Sequence, residues 1–278
     1  MNAGRAGAAR YLARVGFYAF VVVATAYFFL PMLWLLLAPF DRAPSLAAEL
    51  PQFTIANFGD MLDNPLAVRS LGNSVVLAAG AMLLVVLTGA PAAYALSRVR
   101  FAGRDVLLYV LLLFSSVVTG SAAMVPLFLL VFNLGLTDTY LGVVLVLVGG
   151  LLPAGIFILK DFTDSTPTSL EESARVFGAS SLQILKDIVV PVVRPGLAVI
   201  AVWVVVQVWG NFLMPFILLR NPERSPAAVV MYSFYTEGGQ ANLPVVAAFS
   251  LLYTIPVLVL YLYVNRRYGF RFYGGIKG

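Results

Sequence analysis

Side chains able to do acid–base, nucleophilic or metal chemistry are few in this sequence and unevenly placed. The chain has no histidine and no cysteine. That removes imidazole proton transfer, thiol nucleophiles, disulfides and the His and Cys metal ligands. The 13 carboxylates all fall in polar segments or at the ends of apolar runs, and none lies near the centre of a run. Proton-coupled carriers and intramembrane proteases need ionisable groups at that depth, so both readings are disfavoured. No Gly-rich phosphate loop of the Walker type is present, so the chain is not expected to hydrolyse ATP. The acids are densest between residues 160 and 195, where Asp161, Asp164, Glu171, Glu172 and Asp187 alternate with Lys160, Arg175, Lys186 and Arg194. Charges of both signs in one segment suit docking against another protein better than covalent chemistry.

The elements that position this segment are read from hydropathy. Of the 278 residues, 61% are hydrophobic and 11% charged, and the mean hydropathy is +0.93. Soluble domains carry about a quarter charged residues. The apolar residues form continuous runs rather than the short alternating segments of a β-barrel. An all-α integral membrane protein of six transmembrane helices is expected, with spans at about 15–40, 74–96, 106–131, 140–159, 197–219 and 244–264. Residues 1–278 then make a single transmembrane domain. Fourteen of the 18 basic residues fall on the side that holds both termini and the 160–195 loop, and four on the other. The positive-inside rule puts that richer side, with both termini, in the cytoplasm. The net charge of +5 is therefore assigned to topology and not to nucleic acid. The first apolar stretch follows Arg5, Arg10 and Arg14 but exceeds the 7–15 residues of a signal-peptide core, so it is expected to be a retained span.

The 160–195 loop is the only one on the basic side with a helical pattern. Leu170, Ala174, Phe177, Ser181, Ile184, Leu185 and Ile188 recur near helical spacing. Thr168 with Glu171, or Ser169 with Glu172, predicts a capping box, and Ser180 with Gln183 predicts a second. Gly178 interrupts the pattern, and Pro191 and Pro195 limit extension into the next span. The expectation is two short helices joined at a glycine. With four basic and five acidic residues, the loop is poorly suited to lying on lipid and better suited to meeting a protein.

At this point the sequence resembles a known family. The order Glu172-Ser173-Ala174, Gly178, Ile188 and Val190-Pro191 is similar to the EAA motif of binding-protein-dependent ABC importer permeases, which runs Glu-Ala-Ala, three residues, Gly, nine residues, Ile, one residue, Leu-Pro. Pro167 and Leu170 also fit. Ser173 replaces the first alanine, and Phe177 stands where sugar-importer permeases commonly have Asp. The likeness extends to Asn73-Ser74 and Ala92-Ala93-Tyr94-Ala95, to Arg98, Phe101 and Gly103-Arg104, and to Pro126 with Leu134-Gly135-Leu136. It continues through Asp138-Thr139, Trp209-Gly210-Asn211-Phe212 with Pro215, and the tail Gly274-Gly275-Ile276-Lys277-Gly278. The chain most resembles the carbohydrate-uptake type, on the side of the smaller maltose-importer permease.

The resemblance implies a type I ABC importer permease fold in the bacterial inner membrane, with 160–195 as the cytoplasmic coupling loop. It implies a non-catalytic subunit that imports a sugar or oligosaccharide and forms half of the translocation pathway. The partners would be a second permease subunit, two ATPase subunits, an extracytoplasmic solute-binding protein and membrane lipid. No cofactor is expected on this chain, and ATP and Mg would sit on the partner ATPase. The docking set would be Glu171, Glu172, Ser173, Ala174, Phe177, Gly178, Ile188 and Pro191. Sugars need polar hydrogen bonds and aromatic faces, so Ser115, Ser116, Thr119, Gln207, Trp209 and Asn211 are candidates for the solute path. Small polar residues also join neighbouring transmembrane helices, and that reading stands beside the first. Another solute, such as a glycerophosphodiester, an amino sugar or a polyol, fits the same pattern, as does, in a different class, a non-transporting structural membrane protein.

Overall fold

The computed structural model describes residues 2–44, 51–118, 123–234 and 242–268. Among these residues the protein is helical, with a single isolated bridge between Asp41 and Phe53. The helices fall into two compact units. The first comprises Met1–Asp63 with Phe234–Leu252, and the second Asn64–Ser233 with Tyr253–Gly278.

In the first unit, helix α1 (Asn2–Leu37) runs into a short turn at Ala38–Phe40, and α2 (Ala56–Leu62) follows. The buried Asn57 side chain donates to the carbonyls of Pro39 at 3.0 Å and Asp41 at 2.7 Å, which ties α2 to that turn. Phe40 packs on Phe58. From Val15 to Leu36 the apolar side chains of α1 are mostly exposed.

The second unit positions the candidate site. Helix α3 (Pro65–Arg98) starts where the Asn64 side chain accepts from the Leu66 N–H at 2.9 Å, with Pro65 at a first helical position where its missing N–H costs nothing. Helices α4 (Arg104–Val118) and α5 (Met124–Asn133) follow. Helix α5 ends in a Schellman turn: Gly135 has φ +67°, its N–H reaches the Phe132 carbonyl, and the Leu136 N–H reaches that of Val131. Helix α6 (Tyr140–Asp164) is capped by the Thr139 hydroxyl, which accepts from the Gly142 N–H. Then come α7 (Thr168–Val176), α8 (Ser181–Ile184), a π-helical turn at Leu185–Val189, and α9 (Val190–Val192). Helix α10 (Arg194–Trp209) leads to α11 (Leu213–Leu218) and α12 (Ala227–Ser233). The last helix, α13 (Leu243–Tyr268), passes from the first unit into the second.

The core lies where α3 meets α6 and α10, around Leu77, Ala81, Val85, Val143, Leu147, Ile156, Ile200 and Val204. In lipid, burying leucine against leucine gains little over burying it in acyl chains, so close van der Waals fit must hold the helices together. Small residues supply that fit. A Cβ at Gly155 would lie 3.0 Å from Val85, and one at Gly196 would lie 2.5 Å from the Phe162 ring.

Four of the six expected spans are single helices long and apolar enough to cross a bilayer: Arg14–Phe40, Pro65–Arg98, Tyr140–Asp164 and Leu243–Arg267. The other two differ from expectation. In the stretch expected at 106–131 the described residues form α4, to Val118, and α5, from Met124, and 119–122 lie outside the described residues. The stretch expected at 197–219 is divided into α10 and α11. There the Asn211 side chain accepts from the Met214 N–H at 3.2 Å, starting a new helix three residues after Gly210. Helix α10 also meets the Ser181–Val192 segment at 76°, where Pro195 removes a backbone donor.

Candidate functional site

The 160–195 loop folds as two short helices around a glycine. Helix α7 closes in a second Schellman turn. Gly178 has φ +84°, its N–H reaches the Arg175 carbonyl at 2.9 Å, and the Ala179 N–H reaches that of Ala174 at 3.0 Å. No atom stands within 4 Å of a Cβ built at Gly178, so backbone conformation alone requires glycine there. The Ser180–Gln183 capping box forms as expected: the Gln183 N–H donates to the Ser180 hydroxyl, and the Ser180 N–H donates to the Gln183 side chain.

The box expected at Thr168 or Ser169 does not form. Thr168 is already helical, and Pro167 holds the cap position without a side-chain bond. Glu171 has other partners. It is 2% exposed, and one carboxylate oxygen accepts from Arg98 Nε at 2.7 Å while the other accepts from the Tyr94 hydroxyl at 2.9 Å. Arg175 lies 4.0 Å from the second oxygen. A buried charge persists only when paired and hydrogen-bonded, and this carboxylate has both. Arg98 in turn donates through Nη2 to the carbonyls of Thr163 and Thr166, each at 3.1 Å, and through Nη1 to Ser97 at 3.0 Å. Ser97 hydrogen-bonds Asp164, which also pairs with Lys160.

The expected docking residues therefore separate into two sets. Glu172, Ser173, Phe177 and Gly178 are exposed, while Glu171 is turned inward. Ala174 and Ile188 pack against the small cluster of Ile184, Val189 and Val193. Pro191, half-buried, sits in α9. Around the Gly178 turn three large apolar side chains stand exposed: Phe177 at 90%, Val176 at 85% and Leu182 at 73%. Tyr94 and Arg98 escaped the sequence reading as partners of Glu171. Their spacing of four, which puts both on one helix face, was the available signal.

Of the six candidate solute residues, Gln207, Trp209 and Asn211 have described side chains, and their surroundings differ. Gln207 is exposed. Trp209 is buried and locked to α13, its indole N–H donating to the Tyr253 carbonyl at 3.1 Å while the Tyr253 hydroxyl donates back to the Trp209 carbonyl at 2.6 Å. It lines an apolar groove with Val75, Ala78, Met82, Val205 and Pro256. The Asn211 side chain accepts from the Met214 N–H at the start of α11. Ser115 and Ser116 belong to α4, with side chains outside the described set, and Thr119 lies outside the described residues, as does the tail 269–278. Among the described residues no group of three or more Asp or Glu could hold a metal.

A second polar assembly lies before the other end of α6. Asp138 adopts φ +57°, and one of its carboxylate oxygens accepts from the N–H groups of Arg220 and Asn221, both at 3.1 Å. Arg224 pairs with its carboxylate at 3.1 Å and also donates to its carbonyl. The Asn221 N–H foremost, with that of Arg220 and the charges of Arg224 and Arg220, holds the Asp138 carboxyl below the usual carboxylate range against the opposing pull of burial. Nearby, the Asn73 amide donates to the carbonyls of Glu223 and Ser225 and accepts from the Tyr140 hydroxyl. These bonds fasten the 219–226 segment to the starts of α3 and α6.

Comparison with known proteins follows the same outline. Residues 85–269 match the family described as "binding-protein-dependent transport system inner membrane component". The maltodextrin transport system permease protein MdxG of Bacillus subtilis (strain 168) is 31% identical over 266 residues, 95% of each chain. The galactooligosaccharides transport system permease protein GanQ of the same strain is 33% identical over 201 residues, 72% of this chain and 69% of that one. A chain in the crystal structure of a bacterial ABC transporter that imports the acidic polysaccharide alginate superposes with a TM-score of 0.77 at 25% identity, covering 92% of this chain and 96% of that one.

Proposed function

This chain belongs to the binding-protein-dependent transport system inner membrane components, the permeases of ABC importers, and on that footing we propose that it imports a sugar or oligosaccharide as one of two subunits forming the pathway. The named cargo of the similar proteins, maltodextrin and galactooligosaccharides, supports a saccharide. In this reading residues 1–278 act as one permease domain crossing the inner membrane six times, with both termini cytoplasmic. The segments α4–α5 and α10–α11 each complete a crossing. The chain is non-catalytic and binds no cofactor. A solute-binding protein delivers cargo from outside, and two cytoplasmic ATPases hold ATP and Mg and supply the energy.

The observation that carries this proposal is the crest of the 160–195 loop. Val176, Phe177 and Leu182 stand out around the Gly178 turn with Glu172 exposed beside them, while the opposite face of α7 is tied inward through Glu171. Large apolar side chains exposed at one turn, rimmed by charge, mark a protein interface. The loop docks this knob into a cleft on the ATPase. Closing of the ATPase dimer then turns the ends of α6 and α10 as rigid bodies, which alternates access to the pathway.

Co-purification of the tagged chain with its neighbouring gene products tests this. Wild type is expected to bring down an ATPase and a second permease. Glu172→Lys and Gly178→Asp are expected to lose the ATPase and keep the permease. An ATPase that stays bound and active with both variants overturns the docking assignment. Uptake of labelled malto- and galacto-oligosaccharides in a strain with and without the chain tests the cargo, and a glycerophosphodiester taken up instead would replace it.

A further inference from the structure

The Arg98–Glu171 pair stands apart from the other ion pairs. The others have at least one partner substantially exposed to solvent, whereas this one joins side chains 13% and 2% exposed. It also brings the end of α3 onto the α6–α7 connection, 65 to 73 positions later in the chain. Arg98 is the last residue of α3. Its Nε holds Glu171 in the first turn of α7, and its Nη2 holds the carbonyl of Thr163 in the last turn of α6 and that of Thr166 just beyond. Tyr94, one turn earlier on α3, holds the other oxygen of Glu171. A guanidinium presents five N–H groups in a rigid plane, so a shift of any one partner is passed to the others rather than absorbed by a flexible stem. The chain itself already connects α7 to α6, through residues 165–167, and to α10, through α8 and α9. No covalent path of comparable length connects α7 to α3, whose last residue lies 73 positions away.

We propose that Arg98 and Glu171 form a transmission joint through which movement of the docked α7 reaches α3. They are positioning residues. Neither is required to touch solute or ATPase. The inference rests on the docking role assigned above to Glu172 and the Gly178 turn.

The chain contains no cysteine, so single reporter sites can be introduced directly. Ser169→Cys on α7 and Val99→Cys at the exposed C-cap of α3 would each carry an environment-sensitive fluorophore in the full complex, read on adding ATP and vanadate. In the otherwise wild-type chain both reporters are expected to respond. In Glu171→Gln, with the ATPase still bound, the Ser169 reporter should respond as before. The Val99 response should fall by about fivefold or more, the lower range of coupling between sites. A merely structural pair would not separate the two signals. A Val99 reporter that responds fully in Glu171→Gln, or not at all in the wild-type background, overturns the joint. Should Glu171→Gln fail to assemble, Tyr94→Phe decides, since it removes one hydroxyl only: an undiminished Val99 response there overturns the joint. Glu172→Lys separates the two ideas. If it releases the ATPase while Glu171→Gln behaves as wild type, the joint alone falls. If the ATPase stays bound and both reporters still respond in Glu172→Lys, the docking role falls and the joint with it.

Discussion

Glu171 and Glu172 are neighbours with the same side chain, yet one is buried against a guanidinium and the other faces solvent. Successive helical residues are turned about 100° apart, so one step along α7 exchanges an inner face for an outer one. The energetic consequences differ accordingly. Arg98→Gln would leave the Glu171 carboxylate buried without its counter-charge, at a cost of about 3–5 kcal/mol. Adding Glu171→Gln removes that stranded charge, so the double variant is expected to be more stable than Arg98→Gln alone. Thermal unfolding of the detergent-purified proteins would check this order. At Gly178 the cost is conformational: Gly178→Ala must place a Cβ residue at φ +84°, worth about 1–2 kcal/mol. Gly178→Asn, which tolerates that region, should cost less, and the amount of ATPase retained on purification is the readout. The motif spacing pointed to Glu172 and Gly178 from sequence alone. It could not pair Glu171 with Arg98, because the contact spans 73 positions and local patterns carry no information about which loop a helix end will meet.

Among elements, helix ends proved harder to read than helices. Long apolar runs marked α1, α3, α6 and α13 well, since a bilayer demands length and apolarity and both are written in composition. The division at α10–α11 was not visible in hydropathy, which averages over a window and is blind to a single bond such as that from the Met214 N–H to the Asn211 side chain. The expected box at Thr168 failed for a related reason: its acid, Glu171, was taken by a charged partner, which binds a carboxylate more strongly than a backbone N–H does. Three of the six solute-path candidates, Gln207, Trp209 and Asn211, looked alike as polar residues of one span, yet the fold gives them three different surroundings. Packing between elements makes a sharper prediction. A side chain at Gly196 collides with the Phe162 ring, so Gly196→Val should destabilise the protein by about 1–3 kcal/mol. Phe162→Leu in the same chain should recover part of the loss, as a thermal scan of single and double variants would reveal.

At the scale of the whole molecule, polar assemblies lie toward both ends of α6, and the helix between them is about 37 Å long at 1.5 Å per residue. The Asp138 assembly is sensitive to acid. Its carboxyl is held below the usual range in the folded protein, so its contribution is complete above the unfolded value and is lost as pH falls through the lower folded value. Asp138→Asn is therefore expected to lower stability at neutral pH and to flatten the loss of stability below about pH 4, measured as thermal midpoints across an acid series. The stretch between the two assemblies has a further meaning. The six described ion pairs all lie at or beyond helix termini, and the long apolar helices carry no acid or base near their middles. Moving one elementary charge across the bilayer changes the energy by about 2.3 kcal/mol per 100 mV; a rearrangement of these helices carries no such charge. Uptake of a neutral solute into vesicles at fixed ATP is therefore expected to proceed at the same rate whether a potassium gradient with valinomycin sets the interior negative, positive or at zero.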